Sequence, residues 1–172
     1  VVAFEELEKH FSPKEFKLFA PLTGRKMNRI REKVYLEGKS KGYKYATYVS
    51  SKANICDNEI GENCFILENN NIQPYAKIGN NVVLWSGNHI GHHGVIKDHV
   101  FFTSHVVMSG HCVIESYCFC GVNSTIKDQT HLAEGTLLGM GASLIDNSTD
   151  PWSVYVGNPA KKLHKKISYN VY

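Results

Sequence analysis

Histidine is the residue whose number and spacing single out a chemistry: nine occur in 172 residues, and seven of them lie between His89 and His131. An imidazole exchanges a proton near neutral pH, and its neutral form ligates transition metals. His93, His99, His105 and His111 are spaced six apart, in a column that also holds Asn63, Asn69, Asn81, Gly87, Asn123, Gly135, Gly141 and Asn147. Glycine adopts positive φ freely, and Asn and His are enriched there among the other residues. These four histidines therefore read first as corner residues. His92 differs, being the single histidine of the preceding column, which elsewhere carries Glu62, Glu68, Pro74, Asn80, Ser86, Asp98, Ser104, Gly110 and Ser116. It is the candidate general base, with an ordinary polar surface residue as the plain alternative.

The elements that position these side chains share the six-residue period. Hydrophobic residues recur without a slip from Ile60 through Ile66, Ile72, Ile78 and Leu84 to Leu138 and Leu144. Four residues after each comes a smaller slot, filled by Cys64, Asn70, Ala76, Val82, Asn88 and Gly94 and so on to Ala142 and Ser148. Two inward positions in six describe a short strand followed by a tight corner. Helix and strand periods of 3.6 and 2 would both drift out of phase over this length. The chain is thus mainly β, a hexapeptide-repeat β-helix, and about 90 repeat residues make roughly five coils at ~4.8 Å per strand.

Residues 1–50 read as a partial α/β segment, with a helix from Phe4 to Phe11, a strand from Lys17 to Pro21, a helix from Lys26 to Lys41 and a strand from Tyr43 to Val49, the two strands pairing in parallel. Met27, Ile30, Val34 and Leu36 form the expected apolar stripe of the second helix, and Gly42 is its C-terminal stop. Val49 to Ile55 keeps the six-residue step, but Ile55 to Ile60 is five, so the β-helix is expected over 51–158. Residues 159–172 are expected to cap the last coil. Their Lys161, Lys162, Lys165 and Lys166 read as a solvated tail or as a contact to a phosphorylated ligand.

Composition narrows the function classes. The net charge is only +3, with no basic stripe and no aromatic residues interleaved with basic ones, so nucleic acid is not an expected partner. No apolar run approaches the roughly 20 residues of a membrane-spanning helix, and no signal peptide opens the chain. Five cysteines is an odd number, and Cys64, Cys112, Cys118 and Cys120 fall in inward slots, so a reducing cytoplasm is the simplest expected setting.

Hexapeptide β-helices of this pattern are left-handed prisms with three flat faces, and the resemblance implies that three hexads make one coil and that residues eighteen apart stack. In that register His92 lies beside Gly110, whose bare amide can hold a developing oxyanion. The segment GNHIGHHGVIKDHVFFTSHVVMSGHCVI, together with the close VYVGNPAKKL, resembles the sugar acetyltransferases of the sialic acid O-acetyltransferase family. The N-acetyltransferases that make bacillosamine and perosamine derivatives share the pattern. The resemblance covers nearly the whole chain and implies a homotrimer with acetyl-CoA in the cleft between neighbouring β-helices. It implies His92 as general base, and Gly110, Gly141, Ala142, Lys161 and Lys162 along the cofactor. His105 and Asn123 are candidates for contact with a sugar or nucleotide-linked sugar acceptor. The position after the base, often acidic in the bacillosamine enzyme, is His93 here, and a second imidazole orients the first without stabilising its cation as a carboxylate does. The family's N-terminal domain usually opens with a strand and a glycine-rich turn that receives the nucleotide; this sequence starts after that point, so a complete nucleotide pocket is not assumed.

No bound metal is expected. A γ-carbonic-anhydrase type of enzyme requires a histidine pair five apart in number, which is absent, and a zinc site from His93 and His111 would lack a third ligand. A γ-carbonic-anhydrase-like metal enzyme and a non-catalytic β-helix scaffold are the two alternatives kept beside the acetyltransferase reading.

Overall fold

The computed structural model describes all residues 1–172. Two-residue strands recur every six positions, and each pairs in parallel with the strand one coil on, as in Phe65 with Val83 and Val83 with Phe101. The result is a left-handed β-helix of about six turns. Its three faces are sheets of eight, six and five strands. The extra turn relative to the expected five comes from three strands outside the run Ile60 to Leu144: Tyr48–Val49, which begins the solenoid earlier than 51 and pairs with Phe65–Ile66, then Asn54–Ile55, and Ser153–Val156 at the far end. Tyr48 lies only seventeen residues before Phe65, which is where the five-residue step from Ile55 to Ile60 is absorbed.

The inward residues form one continuous core of 24 buried side chains. A prism of constant cross-section must balance volume locally: Phe102 stacks on the small Cys120, and the tip of Met108 fills the space that Gly94 leaves open. Many of the small slots also supply donors. The Cys64, Cys112 and Cys118 thiols donate to the carbonyls of Gly79, Lys127 and Ala133 at 3.1, 3.0 and 3.2 Å. Burial pushes the Cys64 thiol up to about 11 and the Cys118 and Cys120 thiols higher still, so none of these is a nucleophile.

The corners adopt the expected backbone. His93, His99, His105 and His111 have φ of 56°, 63°, 59° and 57°, alongside Asn63, Asn69, Asn81 and Asn123. Asn147 does not share it, because the last corner is one residue longer. There the expected inward Ser148 is exposed, and Thr149 is buried in its place, bonded to the Thr136 hydroxyl at 2.8 Å.

The N-terminal segment is an external brace. Its helices span Leu7–His10, after a 3₁₀ turn at Phe4–Glu6, and Arg29–Ser40; the expected pairing of its two strands reduces to one parallel bridge between Leu18 and Tyr45, and the end of the second, Tyr48–Val49, joins the solenoid instead. Gly42 ends the longer helix at φ 87° as expected. The expected start at Lys26 is not helical: Lys26, Met27 and Asn28 all have positive φ, and this turn buries Met27 and Asn28 against the eight-stranded face. The expected apolar stripe is also displaced. Ile30 and Leu36 are exposed, and the helix buries Arg31, Tyr35 and Gly38 instead, which lie on one face at spacings of four and three.

Arg31 explains that choice. Its guanidinium donates to the Asn81 carbonyl, to Asn81 Oδ1 at 3.1 Å and to Asn28 Oδ1 at 3.3 Å, and burial without an acidic partner pushes it down to about 10. Asn63 Nδ2 also donates to Asn81 Oδ1, at 2.9 Å, so the Asn81 amide nitrogen must face the other way, onto His99 Nδ1 at 2.8 Å. A donor-only guanidinium thus sets the tautomer of His99, whose Nδ1 is an acceptor. At the C-terminus, Ser153–Val156 joins the eight-stranded face and Lys161–Ile167 folds back on it antiparallel. Trp152 lays its ring over Gly135, where no side chain would fit.

Two outcomes follow. Burial lowers the His99 pKa, so the folded state resists protonation there; stability is full above the ordinary histidine value near ~6.5 and falls as pH drops below it. His99→Asn, a residue native to this column, should flatten the fall in melting temperature between pH 7.5 and 5.5; an unchanged pH slope would contradict the assignment. Arg31→Lys loses the planar fork and should cost about 1–3 kcal/mol, with hydrogen exchange rising in residues 1–45 before the solenoid.

Candidate active site

His92 and His93 form the corner between the six- and five-stranded faces, between the strands His89–Ile90 and Val95–Ile96. The turn leaves both imidazoles exposed. His92 Nδ1 and His93 Nδ1 are 3.1 Å apart in a hydrogen bond whose direction depends on the tautomers. With His92 Nδ1 as donor, His92 Nε2 keeps its lone pair for a proton. No carboxylate hydrogen-bonds either ring.

Gly110 lies where the eighteen-residue register requires. A Cβ there would stand 2.8 Å from His92 Cε1 and 2.9 Å from Nε2, so the ring lies directly over this glycine. Elsewhere in the same column a side chain one coil up caps the amide below it, as Asn80 Oδ1 does for Glu62 N and Asp98 Oδ1 for Asn80 N. Glycine at 110 has no such side chain, and the amides of His92 and Gly110 donate to no group of the chain. The corner therefore presents an imidazole beside two free N–H groups.

The sequence marks His111 as a corner residue and as a metal ligand weighed with His93 alone, yet it belongs to the same cluster as His92. Its ring stacks on His93 at 4.8 Å and 12° and meets His92 edge-on at 5.0 Å; Tyr75 continues the stack below His93 at 4.7 Å. The signal was available in the register, since 75, 93 and 111 are eighteen apart. The expected lack of a third ligand beside His93 and His111 is corrected here: His92 supplies it, and the ligand atoms of all three lie within 4.8 Å of one another.

The other candidates lie elsewhere. His105, Asn123 and Gly141 occupy the corner between the eight- and six-stranded faces, a different edge of the prism from His92. The His105 ring covers Gly87, one coil below, and Asn123 occupies the same corner one coil above. Gly141 is exposed with nothing within 4 Å of a would-be Cβ, which leaves its backbone open to a ligand. Ala142 does not fit its expected role: its side chain is in the core, its N–H donates to Gly139 O and its carbonyl accepts from Thr125. Lys162 is tied to Asp150 at 2.7 Å, and Lys161 stands exposed beside it on the same strand.

Three-sided coils, left-handed corners and a histidine edge define a hexapeptide-repeat β-helix protein. Residues 60–171 match the family model described as the GMPPB C-terminal domain, and the chain belongs to that family. Among solved structures, the acetyltransferase domain of PglB from Neisseria gonorrhoeae FA1090 superposes with a TM-score of 0.85 at 22% identity, over 92% of this chain and 76% of that one. PerB from Caulobacter crescentus, solved in complex with CoA and GDP-perosamine, gives 0.85 at 17% identity, over 93% and 76%. WeeI from Acinetobacter baumannii AYE gives 0.66 at 24% identity, over 80% and 68%. The resemblance to sugar acetyltransferases expected from the sequence thus extends to the fold. No helix is long and apolar enough to cross a membrane.

Gly110→Ala should test the stacking directly. Position 110 has no positive φ, so alanine suits the backbone while its methyl displaces the His92 ring. The His92 ring resonances should shift while those of His105, on another edge, stay in place; an unmoved His92 signal would refute the arrangement.

Proposed function

We propose that the protein transfers an acetyl group from acetyl-CoA to the amine of a nucleotide-linked sugar, with His92 as general base. The observation that carries this reading is the exposed His92 imidazole lying over Gly110 beside unpartnered backbone amides. The acceptor nitrogen attacks the thioester carbonyl, forming the C–N bond. The oxyanion that develops is held by the amide of Gly110. His92 Nε2 removes the proton from nitrogen, and coenzyme A leaves as its thiolate, which takes that proton from His92 as the carbonyl re-forms.

The lone imidazole partner of His92 favours an amine over a hydroxyl. A sugar hydroxyl must surrender its proton as it attacks, which demands a base whose cation is stabilised. A neutral amine is already a nucleophile and loses its proton from the adduct. His93 orients the ring but brings no negative charge to balance an imidazolium, matching the lesser demand. The comparison supports the same class, since PerB is solved with CoA and GDP-perosamine.

The cofactor reading carries over to Gly110, Gly141 and the exposed Lys161, on edges that one chain keeps apart. A homotrimer, with each site in the cleft between neighbouring chains, brings such edges face to face, and this is the assembly we propose, in the cytoplasm. Calorimetric titration with acetyl-CoA should show saturable binding near one equivalent per chain. His92→Ala should lower turnover of an amino-sugar nucleotide by about 10²–10⁴-fold with acetyl-CoA binding retained. No binding at millimolar acetyl-CoA, or full turnover without His92, would reject the proposal.

A further inference from the structure

The His92, His93 and His111 cluster holds more than a base requires. Of its six ring nitrogens only the two Nδ1 atoms of His92 and His93 are engaged, and only with each other. His111 makes no hydrogen bond through its side chain, and all three residues are exposed. A stack that serves only the corner needs positive φ, which Asn supplies in the same column at 63, 69, 81 and 123. Three imidazoles converging on one point from two coils go beyond that need.

We propose that His92, His93 and His111 form a binding site for a divalent transition metal of the zinc, nickel or copper class. Three nitrogen donors with no carboxylate suit these ions and not magnesium or calcium, which take oxygen ligands. Zinc–nitrogen bonds of about 2.0–2.1 Å at tetrahedral angles place ligand atoms roughly 3.3 Å apart. The Nδ1 atoms of His92 and His93 are already 3.1 Å apart, and the third ligand atom lies within 4.8 Å of both. Because the His111 ring is exposed, it closes that gap by rotating about its own side-chain bonds. The backbone stays in place: His93 N–H donates to Pro74 O at 3.2 Å, His111 N–H to His92 O at 3.0 Å, and both corners keep their left-handed turn. Little chain entropy is lost on binding, and the solvent side offers a fourth position to water.

The site has a consequence that rests on the proposed acyl transfer. A bound ion on His92 Nδ1 displaces the contact with His93 that orients the ring and places positive charge beside it, which weakens Nε2 as a proton acceptor, so the ion is an inhibitor.

The test uses the full chain freed of metal with a chelator, and Zn²⁺ itself in competition with a chromophoric chelator. One tight equivalent per chain is expected, weakened about tenfold or more in His93→Asn and in His111→Asn. Asn is native to that column, so both variants should keep the wild-type melting temperature. Cys56, the exposed thiol, is the control, and Cys56→Ser should leave the affinity unchanged. Equal Zn²⁺ affinity in both histidine variants, or its loss with Cys56→Ser, overturns the site. Turnover is then measured with and without Zn²⁺: binding without any acyl transfer leaves the metal site standing and removes the proposed function, while transfer in a protein that binds no Zn²⁺ does the reverse.

Discussion

The structure depends on one backbone constraint: a chain that turns a corner every six residues must place one residue per corner at positive φ. Parallel hydrogen bonding between coils then forces each corner to stack on the one eighteen residues away, as Val83 on Phe65 and Phe101 on Val83 require along the strands. Because only Gly, Asn and a few other residues accept that conformation cheaply, the corner columns carry a narrow set of side chains. Stacking converts that local preference into ladders running the length of the prism. Inside, the same regularity removes freedom from the core, so a large Phe102 or Met108 requires a small Cys120 or Gly94 beside it.

Identical corner chemistry has different fates on different edges. His99 and His93 occupy the same column with φ of 63° and 56°. The brace around Arg31 covers His99, which is neutral, fixed by Asn81 and stacked on Tyr117 at 5.3 Å. No terminal segment lies over His93, whose ring meets only its own ladder, Tyr75 and His111, and His92 beside it. What separates a structural histidine from a chemical one here is whether another segment lies over it. The buried Arg31 is therefore part of the division of labour between edges, since it anchors the segment that closes one edge and leaves another open.

The solenoid was legible because its signal is periodic and strictly local: fifteen hexads agree, and each says where its own strand and corner fall. The corner conformation of the four histidines followed from the Gly and Asn sharing their column. Reading failed where tertiary contacts overrode local pattern. Ile30 and Leu36 look like a buried helix face, but Asn81 and Asn28 offer buried acceptors that Arg31 satisfies, and the helix turns accordingly. Ser148 gives way to Thr149 because a longer last corner shifts the phase once no further coil enforces it. Ala142 matched a motif position, yet its place in the core and its engaged backbone leave nothing for a ligand.

The sequence by itself determined the repeat, the left-handed corners, the inward cysteines and the separate status of His92, since each depends on residue type at a fixed local spacing. Only the tertiary structure decided which edge is covered and which is open, and how the rings on the open edge are turned, so that the His92 imidazole itself lies over Gly110 and meets the His111 ring edge-on. Those facts depend on side-chain orientation and on where the terminal segments fold back, and the eighteen-residue register supplies neither.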